Sequence, residues 1–402
     1  MMDYTLFGES HGPVVGVLLR HVPAGIPVDG EQMARDLLRR RPADGLSTSR
    51  REPDDVRILS GVFRGRTTGM PLVLVIPNRD VRSQDYEPLR TVARPGHADY
   101  TARIKAHGFH DYRGGGHFSG RLTAPLVAAG SIAKTVLASQ GVTVAARVVD
   151  EEDLRRRAAQ AKSEGDSVGG RIVCTIDGLS AGIGGPDWYD AVESEIARHV
   201  FAIPAVKAVG FGAGEDFAAM RGSRANDPLR TDGQRVWTET NHNGGVNGGV
   251  TNGMPVVFTV TFKPTPTIGK EQETVDLERM ENVMLSAAGR HDSCIALRAA
   301  PIVEAAAALA ICQLWQEEPA DDLAGYRNEI DRIDGEIVDL LVKRLQIGRK
   351  IGALKAAMGA KIRDKARESE VLRSRGDMAP EYRAAIQAVF ETIMAQTREV
   401  ER

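Results

Sequence analysis

The chain has 402 residues, 42% hydrophobic and 26% charged, with 52 Lys and Arg against 54 Asp and Glu for a formal charge of −2. That length predicts two or three domains with substantial cores, which excludes a disordered or fibrous polymer. The balanced charge excludes a strongly basic nucleic-acid binder, so any functional basicity must be clustered.

The first residues, MMDYTLFGESHG, lack a charged segment followed by an apolar one, and the most apolar stretch, Met70–Pro77, is strand-sized. An unprocessed chain without a membrane span is expected. Helix is predicted at Gly30–Arg41, strand at Val73–Ile76, helix at Thr123–Ser139 and strand at Ile172–Ile176. Helix Trp188–Phe201, strand Val256–Phe262 and helix Pro301–Gln316 follow, an α+β arrangement. Cys174, Cys294 and Cys312 are far apart with no CxxC spacing, so neither a disulfide framework nor a metal site is expected, and the compartment reads as reducing and cytoplasmic.

Composition then changes. Only six of the 42 glycines and one of the 19 prolines, Pro380, fall in residues 321–402, where 16 basic and 15 acidic residues are found. The segment Gln316–Asp322 (QEEPADD) is a natural linker, and a boundary near Pro319 divides the chain into a domain at 1–318, a linker at 319–322 and a helical domain at 323–402.

The first domain couples arginine, histidine and aspartate with glycine or proline in seven motifs: Gly8-Glu9-Ser10-His11-Gly12, Arg39-Arg40-Arg41-Pro42, Ser49-Arg50-Arg51-Glu52-Pro53-Asp54, Arg82-Ser83-Gln84-Asp85-Tyr86, Arg94-Pro95-Gly96-His97-Ala98-Asp99-Tyr100, Asp111-Tyr112-Arg113-Gly114-Gly115-Gly116 and Gly289-Arg290-His291-Asp292. Glycine lets backbone approach a ligand and clustered arginines suit phosphates and carboxylates. No P-loop or Rossmann glycine spacing is present, which disfavours an ordinary nucleotide site or a dinucleotide-dependent reductase. His21, His107, His110 and His199 read as surface or helix residues, and His242, in a Gly/Asn loop, admits a structural and a functional reading equally.

In the second domain a 3-4 spacing selects Arg327, Ile330, Asp334, Ile337, Leu341, Arg344, Gly348, Ile351 and Lys355, a helical seam carrying three cations. Cations in such a seam need an anionic partner unless their long side chains reach out to water. Arg344 and Lys355, 11 residues apart, stand about 16 Å apart along one helix and within roughly 20° around it, so both can reach one small dianion. Arg327 is about 25 Å from Arg344 on the same helix, too far to share that ligand, so a third cation comes most simply from a second subunit. A second helix opens near Asp364, and a third over Glu381–Val400 aligns Ile386, Phe390, Ile393, Thr397 and Glu401.

The motifs of the first domain closely resemble those of chorismate synthases from about Asp3 to about Ile311, and the pattern Arg327-x-x-Ile330-x-x-x-Asp334, Arg344, Lys355, Asp364-x-x-Arg367-Glu368 resembles the all-helical chorismate mutases over 323–402. The first resemblance implies a β-α-β sandwich, a tetrameric assembly, reduced FMN as a non-consumed cofactor with NADPH as a candidate flavin reductant, and 1,4-elimination of phosphate from 5-enolpyruvylshikimate 3-phosphate. It implies that His97 protonates the reduced flavin, His11 acts at the departing phosphate and Asp292 helps a flavin nitrogen take the substrate proton. Arg40, Arg50 and Arg51 become candidate substrate or cofactor cations. Flavin contacts map onto Ser119, Arg121, Ala205, Gly248, Lys263, Pro264, Thr265, Pro266, Thr267 and Arg290. After the three glycines this chain reads His117-Phe118-Ser119, where most relatives have Arg-Ser-Ser, a departure at a flavin-contacting position.

The second resemblance implies a three-helix domain, intertwined as a homodimer, that rearranges chorismate. Arg327 from the partner subunit, Arg344 and Arg367 would hold carboxylates, Lys355 and Glu401 would meet the ether oxygen, and Glu368 the hydroxyl, with Asp364 and Thr397 beside the substrate. A carboxyl at 401 must be protonated to donate, which implies faster rearrangement at lower pH. The rival reading is a synthase whose helical tail only dimerises or senses chorismate; neither nucleic acid nor membrane is an expected partner.

Overall fold

The computed structural model describes residues 2–401 except 42–44, 48–49, 51, 186, 287–291, 316–322 and 362; the side chains of 85, 88, 323–329, 331, 332, 336 and 339 are also outside the described set. The chain forms two compact units, Met1–Gln316 and Glu317–Arg402. The expected boundary at Pro319 and linker at 319–322 lie outside the described residues.

The first unit holds two four-stranded antiparallel sheets. One contains β1 (Asp3–Gly8), β2 (Val14–Arg20), β3 (Arg57–Ser60) and β4 (Leu72–Pro77) in the order β1-β2-β4-β3. The other contains β5 (Thr143–Val148), β6 (Gly170–Asp177), β7 (Val206–Phe211) and β8 (Val256–Phe262) in the order β5-β6-β8-β7. The side chains of Val15, Val17 and Leu19 on β2 are buried on one face, and Val256, Phe258, Val260 and Phe262 on β8 alternate strictly with partly exposed residues.

Between the sheets lie the helices α1 (Gly30–Arg40), α3 (Thr123–Ala138), α5 (Val192–Phe201) and α6 (Ala300–Leu314), while α2 (Asp99–Lys105) and α4 (Glu151–Ser163) are peripheral. Helix α3 packs on β2 and β4, α6 packs on β5 and β6, and the two helices pack on each other, giving a β-α-β sandwich. Their contact is close because it is built from small residues. A Cβ on Gly130 would stand 2.2 Å from the Cβ of Ala305, so even alanine does not fit there without movement.

Inside this apolar layer sits an ionic knot. Arg39 donates two hydrogen bonds of 2.7 Å to Glu304, whose carboxylate also accepts from the Ala146 amide at 2.9 Å, while Lys134 reaches Asp36 at 2.6 Å and Glu304 at 3.3 Å. Four elements, α1, α3, α6 and β5, are thereby joined at groups that are too costly to bury unpaired.

One predicted helix is shorter than expected. Residues 188–190 form a separate 3-10 turn, and Ala191 is extended at φ −60° and ψ 141°, so α5 starts at Val192, whose amide is bonded to the Gly249 carbonyl instead.

The second unit is helical: α7 (Leu323–Ala357), α8 (Lys365–Met378) and α9 (Arg383–Glu401), the last preceded by a 3-10 turn at Pro380–Tyr382. Helix α7 ends where Gly359 takes φ +63° and the Ala360 amide bonds back to Lys355, and Asp364 caps α8 by accepting from the Arg367 amide at 3.0 Å. Helix α9 packs on α7 and α8. The expected seam is covered only in part: Ile330, Ile337 and Ile351 are exposed, because α9 covers α7 around Gly348 and Gly352 and leaves the other apolar positions uncovered.

Candidate functional sites

A cavity of about 850 Å³ opens in the first unit, lined by the loops that carry the arginine and histidine motifs. Eight arginines and lysines line it against three carboxylates, Glu52, Asp54 and Asp292, among the described residues. The small net charge of the whole chain thus conceals a local excess of cations, the arrangement an anionic ligand requires.

Arg40, at the end of α1, and Arg121 converge on Asp54, which Arg40 meets at 2.8 Å; Asp54 has no exposed side chain and takes φ +52°. Burial would raise the Asp54 pKa, but the two guanidinium groups outweigh it and lower it. Arg40 is itself brought down to about 10 by burial. Arg50 donates to the Ser10 hydroxyl at 2.9 Å and to Glu52 at 2.8 Å, and the other Glu52 oxygen accepts from the Arg79 amide at 3.0 Å.

His97 stands on the same cavity with its Nδ1 2.6 Å from Asp99. Asp99 lies at the start of α2 and accepts two side-chain bonds of 2.8 Å from Arg94. Burial opposes a charged Asp99, yet hydrogen bonds from Arg94 and His97 hold its carboxyl well below the usual carboxylate range. Gly114, Gly115 and Gly116, all at positive φ, carry the backbone past both histidines. A Cβ on Gly115 would come 3.0 Å from His97 Cε1, and one on Gly114 would come 2.6 Å from His11 Cδ2. His11, with Nδ1 3.0 Å from the Ser83 hydroxyl and its ring edge-on to Tyr86, sits behind Gly114; Ser10 and Tyr86 reach the cavity lining, whereas His11 does not.

Asp292, also in the lining, accepts from Arg298 at 2.7 Å. Ser119, Arg121, Ala205, Lys263, Thr265, Pro266 and Thr267 also line the cavity; burial, then neighbouring Lys207, lowers the Lys263 pKa. Pro264 and Gly248 are not brought to it, Gly248 occupying the turn between the short strands Val246–Asn247 and Val250–Thr251. Arg51 and Arg290 lie outside the described residues. His117 and Phe118 line the cavity where the departure was noted, His117 Nδ1 being 3.1 Å from the Gly8 carbonyl oxygen. His242 acts through its backbone, donating to Asp227 and accepting from Ala213, and is not in the lining. His199 is buried, its Nδ1 3.0 Å from the Glu195 carbonyl oxygen.

Sequence reasoning did not assign roles to Arg94, Asp99 or Arg298, although the first two lie within the quoted motif around His97. Their partnership was legible in that motif's spacing, whereas Arg298 meets Asp292 through the turn that precedes α6.

The helical unit carries a second polar site. Arg344 on α7 donates to the Thr397 hydroxyl on α9, and Lys355 donates to Glu401 at 2.8 Å. Thr397 is buried, and Gly348 and Gly352 provide the close approach that puts the two helices in register. Glu368 accepts from Arg398 at 2.5 Å and Arg363 at 3.4 Å; burial would raise its pKa, but these cations lower it. Arg398 was not anticipated. Arg367 points elsewhere, to Glu370 at 2.5 Å, and is largely exposed, and Asp364 is used as the α8 cap. The Arg327 side chain lies outside the described set. Within one chain, then, Arg344, Lys355, Thr397 and Glu401 come together along α7 and α9, and Arg367 does not join them.

Comparisons with known proteins divide the chain similarly. The family model for chorismate synthase matches residues 2–153 and 147–315, and that for chorismate mutase type II matches residues 326–402. A chorismate synthase of Thermococcus kodakarensis is 47% identical over 337 residues, covering 77% of this chain and 95% of the relative. One from Chitinophaga pinensis is 48% identical over 309 residues, covering 76% and 92% respectively. A crystal structure of a chorismate synthase aligns with TM-score 0.61 at 23% identity, over 84% of this chain and 98% of that one, which shows likeness of fold.

Proposed function

Because the chain belongs to the chorismate synthase family and ends in a chorismate mutase type II domain, we propose that it catalyses two consecutive reactions, the 1,4-elimination of phosphate from 5-enolpyruvylshikimate 3-phosphate to give chorismate and the rearrangement of chorismate to prephenate. The observation that carries this reading is the presence of two separate cationic sites, the arginine-lined cavity and the Arg344–Lys355 pair, each suited to an anionic ring compound.

In the first site the residues fit a flavin mononucleotide beside a phosphorylated ring. Buried polar atoms without a partner, Arg40 Nε, Arg298 Nε and Thr265 Oγ1, belong to residues of its lining, and Ala205, Lys263 and Thr267 stand nearby to hold the cofactor. A reduced flavin, when bound, supplies electron density that is recovered later, so that no net redox change results. The chain's own part is electrostatic and protonic. Arg40, Arg50 and Arg121 hold phosphate and carboxylate charge, His97 gives a proton from its cavity edge, Asp292 would help a flavin nitrogen take the substrate proton, and His11, behind Gly114, is assigned to the leaving phosphate. His117 and Phe118 change the surface offered to the cofactor.

In the second site no nucleophile or base is needed. A Claisen-type rearrangement requires a folded conformer held by its carboxylates and positive charge where the ether oxygen becomes negative, roles that suit Arg344 and Lys355. A second copy of the chain would supply Arg327 and cover the apolar positions of α7. We place the enzyme in the cytoplasm on its three buried cysteines, none of which is in a disulfide. Among the described residues no helix is long and apolar enough to cross a membrane.

The test supplies the purified chain with pre-reduced FMN and the enolpyruvyl phosphate and follows chorismate and prephenate separately. Arg344→Ala should stop the reaction at chorismate, and His97→Ala should stop it before chorismate. Chorismate without prephenate from the unaltered chain would leave the helical unit as a dimerising or sensing module.

A further inference from the structure

Asp99 lies 2.6 Å from His97 Nδ1, and Arg94 Nη2 lies 3.1 Å from the same nitrogen. Two opposite proton arrangements could in principle satisfy that pair. If the imidazole carried its proton on Nε2, Nδ1 would accept from Arg94 and would face the Asp99 carboxylate with its lone pair. If the proton is on Nδ1, it is donated to Asp99.

Several contacts select the second arrangement. An ionised carboxylate has only lone pairs to offer, so a contact of 2.6 Å to a ring nitrogen requires a proton between them. Asp99 is kept ionised by its surroundings: Arg94 grips both its oxygens, at 2.8 Å each, and the Arg94 amide donates to it at 3.0 Å. Arg94 is in turn held by Thr267, at 3.1 Å. The Arg94 Nη2 group already has an acceptor in Asp99, so it has no need of the histidine. The other charged side chain close to this loop, Lys263, bonds the Gly96 carbonyl.

The opposite edge of the ring is bordered by a glycine. Gly115 has φ +81° and no side chain, and a Cβ there would come 3.2 Å from His97 Nε2. The imidazole is therefore clasped on the Nδ1 side, while on the Nε2 side position 115 brings backbone and no side chain, and His97 lines the cavity.

We infer that Asp99 is the positioning residue of the synthase site: locked by Arg94, it holds His97 in the Nδ1–H form and turns Nε2 toward the cavity as the group that transfers the proton. The inference rests on the reading that His97 moves a proton during the elimination. When the imidazolium gives its Nε2 proton to the reacting group, the ring is left neutral with Nδ1–H still bonded, and Asp99 stays ionised throughout. No proton passes to the carboxylate, and the ring does not have to turn between cycles.

The first test needs no variant of the clasp. The full chain is labelled with 15N at histidine Nδ1, and solid-state spectra at mildly alkaline pH are compared with those of His97→Gln to isolate the His97 signal. A protonated, pyrrole-type Nδ1 is expected; an unprotonated, pyridine-type Nδ1 would overturn the inference. The second test is Asp99→Asn, assayed with pre-reduced FMN. The synthase kcat should fall about 100-fold, the scale of a positioned acid–base group, while KM for the enolpyruvyl phosphate holds and the His97 signal divides between the two ring forms. A variant that retains both kcat and the pyrrole-type signal would also overturn it. Full elimination activity in His97→Gln would instead remove the reading on which the inference rests, and the wild-type spectrum would still decide whether Asp99 sets the ring form.

Discussion

Lys355 Nζ donates to Glu401 Oε2 across 2.8 Å, joining the last turn of α7 to the last turn of α9. A carboxylate in that position can only accept, so the pair gives an ether oxygen one donor, the ammonium, until Glu401 itself carries a proton. Prephenate formation should therefore speed up as pH falls. Glu401→Gln, whose amide donates at every pH, should flatten the profile, and coincident pH–rate profiles would take Glu401 out of the site.

The same two helices meet at a glycine. A Cβ on Gly352 would lie 2.4 Å from the Glu401 carbonyl oxygen, a distance that backbone cannot absorb without moving α9. Gly352→Ala should destabilise the helical unit by about 1–3 kcal/mol, the ordinary range for overpacking. Loss of prephenate formation with chorismate formation intact, measured on one preparation, would confirm that the damage stays in that unit. Equal loss of both activities would not.

In the first unit the Glu304 carboxylate binds Arg39, Lys134 and the Ala146 amide. Glu304→Ala leaves the Ala146 amide without its acceptor and takes both short bonds from Arg39, while Lys134 keeps only Asp36. A loss on the order of 3 kcal/mol is expected, read as a lower melting temperature or denaturant midpoint. Glu304→Gln, which keeps an acceptor, should lose less. If alanine costs nothing, the knot is not a determinant of stability.

Asp54 provides an acid-sensitive joint. Its pKa is lowered in the folded chain by Arg40 and Arg121 acting against burial. For a depressed carboxylate, the stabilisation is present above its unfolded value, about 4, and disappears as pH falls through the lower folded value. Titration below about pH 4 should accordingly weaken the first unit. Asp54→Asn should remove that part of the acid response while being less stable at neutral pH, as followed by tryptophan fluorescence or calorimetry. An unchanged acid limb would show that Asp54 contributes nothing to it.

Much of the site was legible because its residues lie in compact motifs. His97, Asp99 and Arg94 fall within six residues, and the glycines that clear space for the histidines are consecutive. The core strands were legible through alternation, as in Val256–Phe262, and the separate helical unit through its loss of glycine and proline. What the sequence hid was pairing across distance. Arg39 meets Glu304 from 265 positions away, and no local pattern marks Glu304 as more than a polar interruption in an alanine-rich helix. Arg398 was hidden likewise, a single arginine that meets Glu368 only after α8 and α9 dock, whereas Arg298 lies close to Asp292 in the chain but reaches it only through the turn before α6. His199 could not be separated from surface histidines by pattern, because its burial depends on contacts with Tyr4 and the body of the fold. The seam of α7 misled in the other direction: a correct apolar spacing fixes the face of a helix but not whether the same chain covers it.

That uncovered face has a consequence for how the two activities would respond to dilution. Ile330, Ile337, Val338, Leu340, Ile347 and Leu354 are each between 46% and 64% exposed in a single chain. If a second copy covers this surface, as proposed above, the stability gained follows mass action. The sandwich buries a core of its own within one chain, whereas on that proposal the helical unit would answer to how many copies are present. An extract diluted for assay should therefore retain chorismate production after prephenate production has faded, and restoring the concentration should bring it back.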